Sequence, residues 1–307
     1  FFGWCASSNS CVTMHFYKCF LGRKITNSND CPLDIHRGDE YSDHFARTQM
    51  LALSAAAYWS NPQLCLTTRV NDSQLVRQTT VPCDASNSTL CSAFIALSNI
   101  SNAIILSFRG TNTDKQLWTE GWETAFDERI AVVGGGAVSK YFYDAFYSVW
   151  TNGIMQSFLS LKAGYNGYEL WITGHSLGAA MASIASNVIV AEGLHPSKLV
   201  KLITFGQPRT GDRKFAVAHD KLVPYSYRVV HSRDLVVHLP PLGFKGFRHH
   251  RYEVWYDNDM ALGRPYRVCL TPDNGFCSDS KFFDGSLKSH LYYFGEALSW
   301  WGKDGCK

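Results

Sequence analysis

The sequence predicts an α/β protein with a mainly parallel central sheet that is covered by helices on both faces. Two observations support this fold class. Short apolar runs alternate with longer stretches of helical periodicity, as expected when buried parallel strands are connected by helices. Each apolar run also ends in polar residues, often with a glycine. The chain has 307 residues, of which 46% are hydrophobic and 18% charged, so it can build a large core.

The first part of the chain differs in composition from the rest. Residues 1–37 are rich in Cys, Ser and Asn and have no long apolar periodicity. We interpret them as a disulfide-rich N-terminal extension that precedes a single α/β domain at 38–307. Residues 40–59 have helical spacing, and the polar, turn-rich residues 71–92 are predicted to form a hairpin or a loop held by cysteines.

Apolar runs of strand length predict the central sheet. In a parallel α/β sheet the reacting groups lie at the carboxyl ends of the strands, so the polar residues that follow these runs are the first candidates for a functional site. The predicted strands cover residues 103–108, 168–173, 199–205, 225–230 and 251–256, and helical stretches lie near 137–163 and 177–193.

The net charge argues against a nucleic-acid partner, and the hydropathy argues against a transmembrane segment. The formal net charge of +3 is too small to hold a nucleic acid by net charge alone. No apolar run reaches the ~18 residues that span a bilayer, so we predict no transmembrane segment. The chain begins at Phe1 without a basic and apolar leader, and we interpret it as a mature secreted protein whose signal peptide has been removed.

The cysteines point to an oxidising compartment. Their number is even, and neither a Cys-x-x-Cys unit nor a zinc-type spacing occurs. We therefore expect up to five disulfides, no metal and an extracellular location. The ten residues are Cys5, Cys11, Cys19, Cys31, Cys65, Cys83, Cys91, Cys269, Cys277 and Cys306.

Three Asn-x-Ser/Thr sequons predict N-glycosylation, which is consistent with secretion. They begin at Asn71, Asn87 and Asn99. Asn71 and Asn87 lie in the polar segment 71–92, whereas Asn99 stands close to a predicted strand.

The sequence Gly-His-Ser-Leu-Gly at 174–178 predicts a nucleophilic serine, Ser176. It follows an apolar strand and opens an alanine-rich helical run, which is the context that this pentapeptide needs. Glycine on either side lets strand and helix approach closely at a tight turn. That turn exposes the serine hydroxyl, and the helix N-terminus favours negative charge beside it.

A serine nucleophile needs a base and an acid that orients the base. Enzymes with this motif carry them in the chain order serine, acid, histidine. Asp234 is the best-placed acid because it follows the predicted strand 225–230. Four histidines lie downstream of Asp234 and could be the base. We favour His290, with His249 and His250 as rivals. His238 leads into two prolines, which is a structural setting.

The negative oxygen of a tetrahedral intermediate needs two donors. One is predicted to be the backbone N–H of Leu177, which directly follows the serine. Thr111, just after the strand 103–108, could supply the other through its N–H and its hydroxyl. The alternative to this oxyanion role is that Thr111 is an ordinary turn or cap residue.

Together these segments resemble the class 3, fungal-type triacylglycerol lipases of the α/β-hydrolase fold, in family order over about residues 40–301. The resemblance implies a triad of Ser176, Asp234 and His290, with Thr111 and Leu177 at the oxyanion. The matching segments are Leu-Ser-Phe-Arg-Gly-Thr (106–111), Thr-Gly-His-Ser-Leu-Gly-Ala (173–179), Thr-Phe-Gly-Gln-Pro-Arg-Thr-Gly (204–211), Tyr-Arg-Val-Val-His-Ser-Arg-Asp-Leu-Val-Val-His-Leu-Pro-Pro (227–241) and Ser-His-Leu-Tyr-Tyr-Phe-Gly (289–295).

The resemblance also implies a short amphipathic lid after the oxyanion strand. The matching residues are Asp114, Leu117, Trp118 and Trp122. Large apolar residues beside a nucleophile suit a cover that moves onto lipid. A surface helix whose tryptophan completes the core is the alternative.

The sequence therefore predicts a secreted serine hydrolase that cleaves carboxylic esters of acylglycerols at a lipid–water interface, through an acyl-enzyme and without a cofactor. Two alternatives remain at this stage. One is a phospholipase A1 or a feruloyl-type esterase on the same scaffold, and the other is a non-catalytic binding protein of hydrolase fold.

Overall fold

The computed structural model describes residues 40–70, 72–83, 89–111, 125–273 and 275–307. For residues 282–284 it describes the backbone only. The chain divides into Phe1–Gly38 and Asp39–Lys307, and the described residues belong to the second unit. The predicted N-terminal extension lies outside the described residues and stays a prediction.

A mixed sheet of eight strands forms the centre of the described domain, and its strands lie side by side in chain order. The second strand is antiparallel to the first and third, the third to seventh are parallel, and the eighth is antiparallel to the seventh. The predicted parallel core is therefore confirmed. The strands are β1 (Ser73–Pro82), β2 (Leu90–Ser98), β3 (Ala103–Phe108), β4 (Glu169–His175), β5 (Val200–Phe205), β6 (Ser226–His231), β7 (Glu253–Tyr256) and β8 (Arg267–Cys269).

Helical segments connect and cover these strands. α1 spans residues 43–56 and contains a π-helical stretch, Ala46–Met50, between two α-helical parts, Asp43–Phe45 and Leu51–Ala56. The other helices are α2 (Gln63–Arg69), α3 (Lys140–Val149), α4 (Met155–Gly164), α5 (Leu177–Ala191), α6 (Arg213–Leu222), α7 (Leu287–Leu291) and α8 (Leu298–Lys303).

Strand β3 shows how both faces of the sheet become buried. Ile104, Leu106 and Phe108 point into the large apolar core that also contains side chains of α3 and α5. On the opposite face, the Ser107 hydroxyl donates to the carbonyl oxygen of Leu53 in α1 at 2.9 Å. Since successive strand residues face opposite sides, a fully apolar run requires cover on both.

Two predicted boundaries differ from the structure. The helix predicted near 137–163 begins only at Lys140, because Ala137–Ser139 pairs with Gly211 in a small second sheet. Ser139 ends that strand and caps α3, accepting a hydrogen bond from the N–H of Phe142. Further on, the π-helical Trp150–Ile154 separates α3 from α4.

Three disulfides hold the described residues together. Cys83–Cys91 closes the β1–β2 hairpin, which was one of the two predicted forms of segment 71–92. Cys269–Cys277 closes the loop after β8, and Cys65–Cys306 ties α2 to the end of the chain. The pairing of Cys5, Cys11, Cys19 and Cys31 lies outside the described residues. Within the described part of the chain, no helix is long and apolar enough to cross a membrane.

Candidate active site

Ser176 occupies the turn between strand β4 and helix α5, as the sequence predicts. Its backbone angles, φ 62° and ψ −125°, are unusual for a residue with a side chain and mark local strain. A Cβ on Gly174 would lie 2.3 Å from the Gly178 carbonyl oxygen, and one on Gly178 would lie 2.2 Å from that of Phe108. Both glycines are therefore required by close backbone packing.

The surroundings of Ser176 hold its backbone firmly and leave its hydroxyl available. Its N–H donates to the carbonyl oxygen of Phe205 at 3.0 Å, and its own carbonyl accepts from Ala179 at 3.0 Å in the first turn of α5. The side chain is fully buried, and no hydrogen-bond partner for Oγ is found among the described residues. The helix N-terminus beside it stabilises negative charge.

Asp234 and His290 form a buried pair. Asp234 follows β6, and its two carboxylate oxygens each lie 2.9 Å from Nδ1 of His290 in α7. A β-bridge between Asp234 and Ser286 holds the two segments together. Both side chains are fully buried. Because Nδ1 lies at the carboxylate, Nδ1 carries a proton.

The Asp234 carboxylate stays ionised although it is buried. Burial by itself raises the pKa of this carboxyl. The charge interaction with His290 and the hydrogen bond from His290 lower it by more, and hydrogen bonds from Tyr293 and Val236 lower it further. The Tyr293 hydroxyl donates to Oδ2 at 2.6 Å, and the Val236 N–H donates to Oδ1 at 2.8 Å. The net effect holds the pKa of Asp234 below its ordinary value.

Sequence reasoning missed Tyr293. Its hydroxyl is buried, and burial together with the Asp234 charge raises its pKa well above the ordinary value, so it remains a donor. The available signal was its position three residues after His290, in the segment 289–295 that resembles the lipases. Nothing in the composition of that segment distinguishes Tyr293 from Tyr292, whose side chain is 40% exposed.

The serine turn meets the acid–histidine pair at the carboxyl edge of the sheet. Nε2 of His175 lies 2.8 Å from the backbone carbonyl oxygen of His290, and the two rings are 4.5 Å apart. Gly206 follows β5, and a Cβ there would lie 2.8 Å from Nδ1 of His290 and 2.9 Å from Oδ2 of Asp234. The ends of β4, β5 and β6 therefore converge, as expected for a parallel sheet.

The predicted oxyanion donors border the serine. Thr111 follows Gly110, where an added Cβ would lie 3.2 Å from Cβ of Ser176. Leu177 is the first residue of α5, so its N–H has no partner within the helix. The position of both residues is compatible with the predicted role.

The two rival histidines, His249 and His250, and the structural candidate His238 make other contacts. Nδ1 of His238 is 3.0 Å from Asp279, and Nε2 of His249 is 2.7 Å from the Val237 carbonyl oxygen. Nε2 of His250 lies 3.0 Å from the hydroxyl of Ser183 and 2.9 Å from Gln207. Burial lowers the pKa values of His249 and His250 well below the ordinary value. These neutral side chains serve internal hydrogen bonding.

Several predicted residues fall in the segments that the structure does not describe. The lid residues Asp114, Leu117, Trp118 and Trp122 and the sequons at Asn71 and Asn87 lie outside the described residues. Asn99 is exposed in the turn after β2, and its Oδ1 accepts a hydrogen bond from Tyr168 at 3.4 Å.

A cluster with the spacing of metal ligands occurs away from the serine. Glu253, Cys269 and Cys277 lie together in a buried position. Both sulfur atoms are bonded to each other in a disulfide, so neither is the thiolate that a metal requires. This cluster therefore does not supply a metal site in the oxidised protein.

A strained serine between strand and helix, beside a buried carboxylate–imidazole pair at the carboxyl edge of the sheet, is the arrangement of α/β-hydrolase enzymes. Comparison with known proteins defines the class further. The family model for lipase (class 3) matches residues 105–244. Lipase ZK262.3 of Caenorhabditis elegans is 36% identical over 299 residues, covering 87% of this chain and 83% of that protein. The chain therefore belongs to the class 3 lipase family.

Two fungal proteins extend the comparison. Secreted mono- and diacylglycerol lipase 1 of Fusarium solani is 30% identical over 210 residues, which are 66% of this chain and 59% of that protein. The structure of the triacylglyceride lipase of Rhizomucor miehei superposes with a TM-score of 0.71 at 27% identity. The superposed region covers 85% of this chain and 97% of the Rhizomucor miehei chain. The fold and the homology are thus those of fungal lipases.

Proposed function

We propose that this chain is an extracellular lipase that hydrolyses carboxylic esters of acylglycerols, with Ser176 as nucleophile, His290 as general base and Asp234 as the orienting acid. The observation that carries the proposal is the buried Asp234–His290 pair at the edge of the sheet where the strained serine lies. Membership of the class 3 lipase family and the names of the relatives support the substrate class.

Acylation begins when Nε2 of His290 removes the proton from Oγ of Ser176 as that oxygen attacks the ester carbonyl. The resulting imidazolium is stabilised by Asp234, which also holds the tautomer with its proton on Nδ1. The proton then passes from Nε2 to the alkoxide leaving group, and the tetrahedral intermediate collapses to an acyl-enzyme and a free alcohol. Water repeats these steps, releasing the fatty acid and restoring the Ser176 hydroxyl.

The oxyanion of each tetrahedral intermediate is bound by the N–H of Leu177 and by Thr111. In sites of this kind, one preorganised donor lowers the barrier by about 3–4 kcal/mol. Ser176 links the two donors, because Leu177 follows it in the chain and Gly110 packs against its Cβ. The oxyanion therefore forms between the ends of β3 and β4.

The proposed nucleophile is tested by Ser176→Ala, with Ser160→Ala on the exposed face of α4 as the matched control. We expect Ser176→Ala to lose ester hydrolysis and labelling by a fluorophosphonate probe while keeping its thermal unfolding transition. Ser160→Ala should behave as the wild type. Substantial hydrolysis by Ser176→Ala would refute the assignment, and a wild type that does not label would favour a non-catalytic binding protein.

The substrate class is tested by a panel of esters. We expect emulsified long-chain triglyceride to be hydrolysed faster than phospholipid or a soluble feruloyl ester. A preference for phospholipid would assign a phospholipase A1, and a preference for the soluble ester would assign a feruloyl-type esterase.

The extracellular location is supported by the three disulfides, because such bonds persist in oxidising compartments. Denaturing thiol titration of the secreted chain should find no free cysteine. Detection of several thiols would contradict the proposed pairing of the four remaining cysteines, Cys5, Cys11, Cys19 and Cys31.

A further inference from the structure

We propose that His175, the residue before the nucleophile, is a positioning residue: its imidazole fixes the backbone of His290 and the oxyanion segment relative to Ser176. This inference rests on the proposed function, because it concerns how the same three elements are held in register. His175 is buried at the end of β4, 2% exposed, and both of its ring nitrogens have partners.

The partners of His175 settle where its proton lies. Nε2 is 2.8 Å from the backbone carbonyl oxygen of His290, which can only accept, so Nε2 carries the proton. Nδ1 must then accept, and the Tyr58 hydroxyl, 2.7 Å away, donates to it. The contact between His175 and His290 joins residues 115 positions apart, and no local pattern produces it.

Tyr58 extends this chain of hydrogen bonds to the oxyanion segment. Its hydroxyl interacts with the backbone of Gly110, next to Thr111. The contact is close, because a Cβ on Gly110 would lie 2.2 Å from the Tyr58 oxygen. A continuous path therefore runs from Gly110, packed against the Tyr58 hydroxyl, through the hydrogen bonds of His175 to the backbone of His290.

The path works only if His175 is neutral. Burial, together with the nearby His290, lowers the pKa of His175 to about 3. A protonated His175 could not accept from Tyr58. It would also place a cation 4.5 Å from the ring of His290, which must itself become an imidazolium during acylation. The neutral ring avoids both penalties.

His290 is consequently held at two points. Asp234 binds Nδ1 of its ring, and His175 binds its backbone carbonyl oxygen. The first contact fixes the tautomer and leaves the ring free to tilt with the backbone. The second fixes the backbone, so together they hold the imidazole in one orientation at the edge of the sheet where Ser176 lies. Misplacement of a reacting group by about 1 Å can cost a hundredfold in rate.

Two substitutions separate the contacts of His175. In His175→Gln the amide reaches the level of Nε2 and can still donate to the His290 carbonyl. In His175→Asn the shorter amide stands at the level of Nδ1, where it can accept from Tyr58 but cannot reach His290. The measurements are kcat and KM on soluble p-nitrophenyl butyrate, with kcat expressed per site titrated by a fluorophosphonate.

We expect His175→Asn to lower kcat per titrated site by about 10- to 100-fold with KM nearly unchanged, and His175→Gln to restore most of the loss. A purely structural role would lower the unfolding temperature and the number of titrated sites, and leave kcat per site intact. The proposal is overturned if kcat per site stays within about twofold of wild type in His175→Asn, or if both variants fall equally.

Tyr58→Phe leaves His175 intact, so it tests the path even if the histidine variants fold poorly: a kcat per titrated site within about twofold of wild type would overturn the proposal. Where His175→Gln folds, the double variant tests the same path. Removal of the hydroxyl should lower kcat per titrated site by about 3- to 10-fold in the wild-type background and by less than about twofold in His175→Gln, which already lacks the Nδ1 acceptor. Equal losses in both backgrounds would overturn the path through His175. Labelling of the wild type but not of Ser176→Ala tests the proposed function separately, so the two failures are distinguishable.

Discussion

Asp234 illustrates how much one side chain depends on its neighbours. In a fully buried position it would take up a proton, were it not for the histidine, the tyrosine hydroxyl and the backbone N–H that surround it. Each of these donors compensates part of the hydration that the carboxylate has lost. Tyr293 is the neighbour that does not take part in the chemistry, so its contribution can be measured by itself.

Tyr293→Phe removes one donor from Oδ2 of Asp234 and changes little else. We expect the buried carboxylate to lose about 1–3 kcal/mol of stabilisation, seen as a lower free energy of urea unfolding and as a lower kcat on a soluble ester. Tyr292→Phe is the matched control, because the Tyr292 side chain is 40% exposed. Equal behaviour of the two variants would show that the hydrogen bond to Asp234 is dispensable.

The turn that joins β4 to α5 limits the size of the side chains that the site can accept. Gly178 lies in the first turn of α5 and packs against the end of β3, where only a hydrogen atom fits. The fit depends on backbone atoms of two elements, which cannot move independently of the sheet.

Gly178→Ala should therefore disturb both stability and activity. An added Cβ would lie 2.2 Å from the Phe108 carbonyl oxygen, so α5 or β3 must shift. We expect unfolding to become easier by about 1–3 kcal/mol and hydrolysis to fall sharply, as measured by thermal unfolding and ester assay. Gly164→Ala near the end of α4 meets no atom within 4 Å and should be neutral or stabilising. A fully active Gly178→Ala would contradict the packing argument.

The elements themselves were largely predictable, because their signals are local. Apolar runs located strands β3 to β7, and Gly-x-Ser-x-Gly located the serine turn, since period and turn chemistry act over a few residues. The contact between Tyr58 and His175 joins residues 117 positions apart, and that between Tyr293 and Asp234 joins residues 59 apart. Such pairs depend on how the elements pack, which no local pattern records. For the same reason the partners among ten cysteines could not be assigned.

At the scale of the molecule, buried histidines dominate the response to acid. Burial lowers the pKa values of His175 and His219 to about 3, and those of His249 and His250 well below the ordinary 6.5. Between these values the unfolded chain binds protons that the native state excludes, so the free energy of unfolding falls as pH falls. Asp220 has the opposite effect on stability. Burial raises its pKa from 3.8 to about 6, so as pH falls the native state binds this proton before the unfolded chain does and gains stability.

These four histidines and His195, whose pKa burial also lowers, outweigh one aspartate, and we expect stability to decrease from about pH 6.5 to pH 4. The slope sums over these histidines, because over this range each binds a proton in the unfolded chain that the native state excludes. Urea unfolding at pH 7, 6, 5 and 4 measures this, and His219→Gln should give a shallower slope than the wild type. The exposed His44→Gln is the control and should leave the slope unchanged. A stability that is flat over this range would refute the account.

The bond between Cys65 and Cys306 spans 241 positions of sequence. Strands β1 to β8 and helices α3 to α7 all lie within the covalent ring that it closes. A protease that cuts one exposed loop inside this ring opens it without releasing a fragment. The nicked protein would migrate as a single band until a reductant is added. This cross-link therefore keeps a once-cleaved domain in one piece.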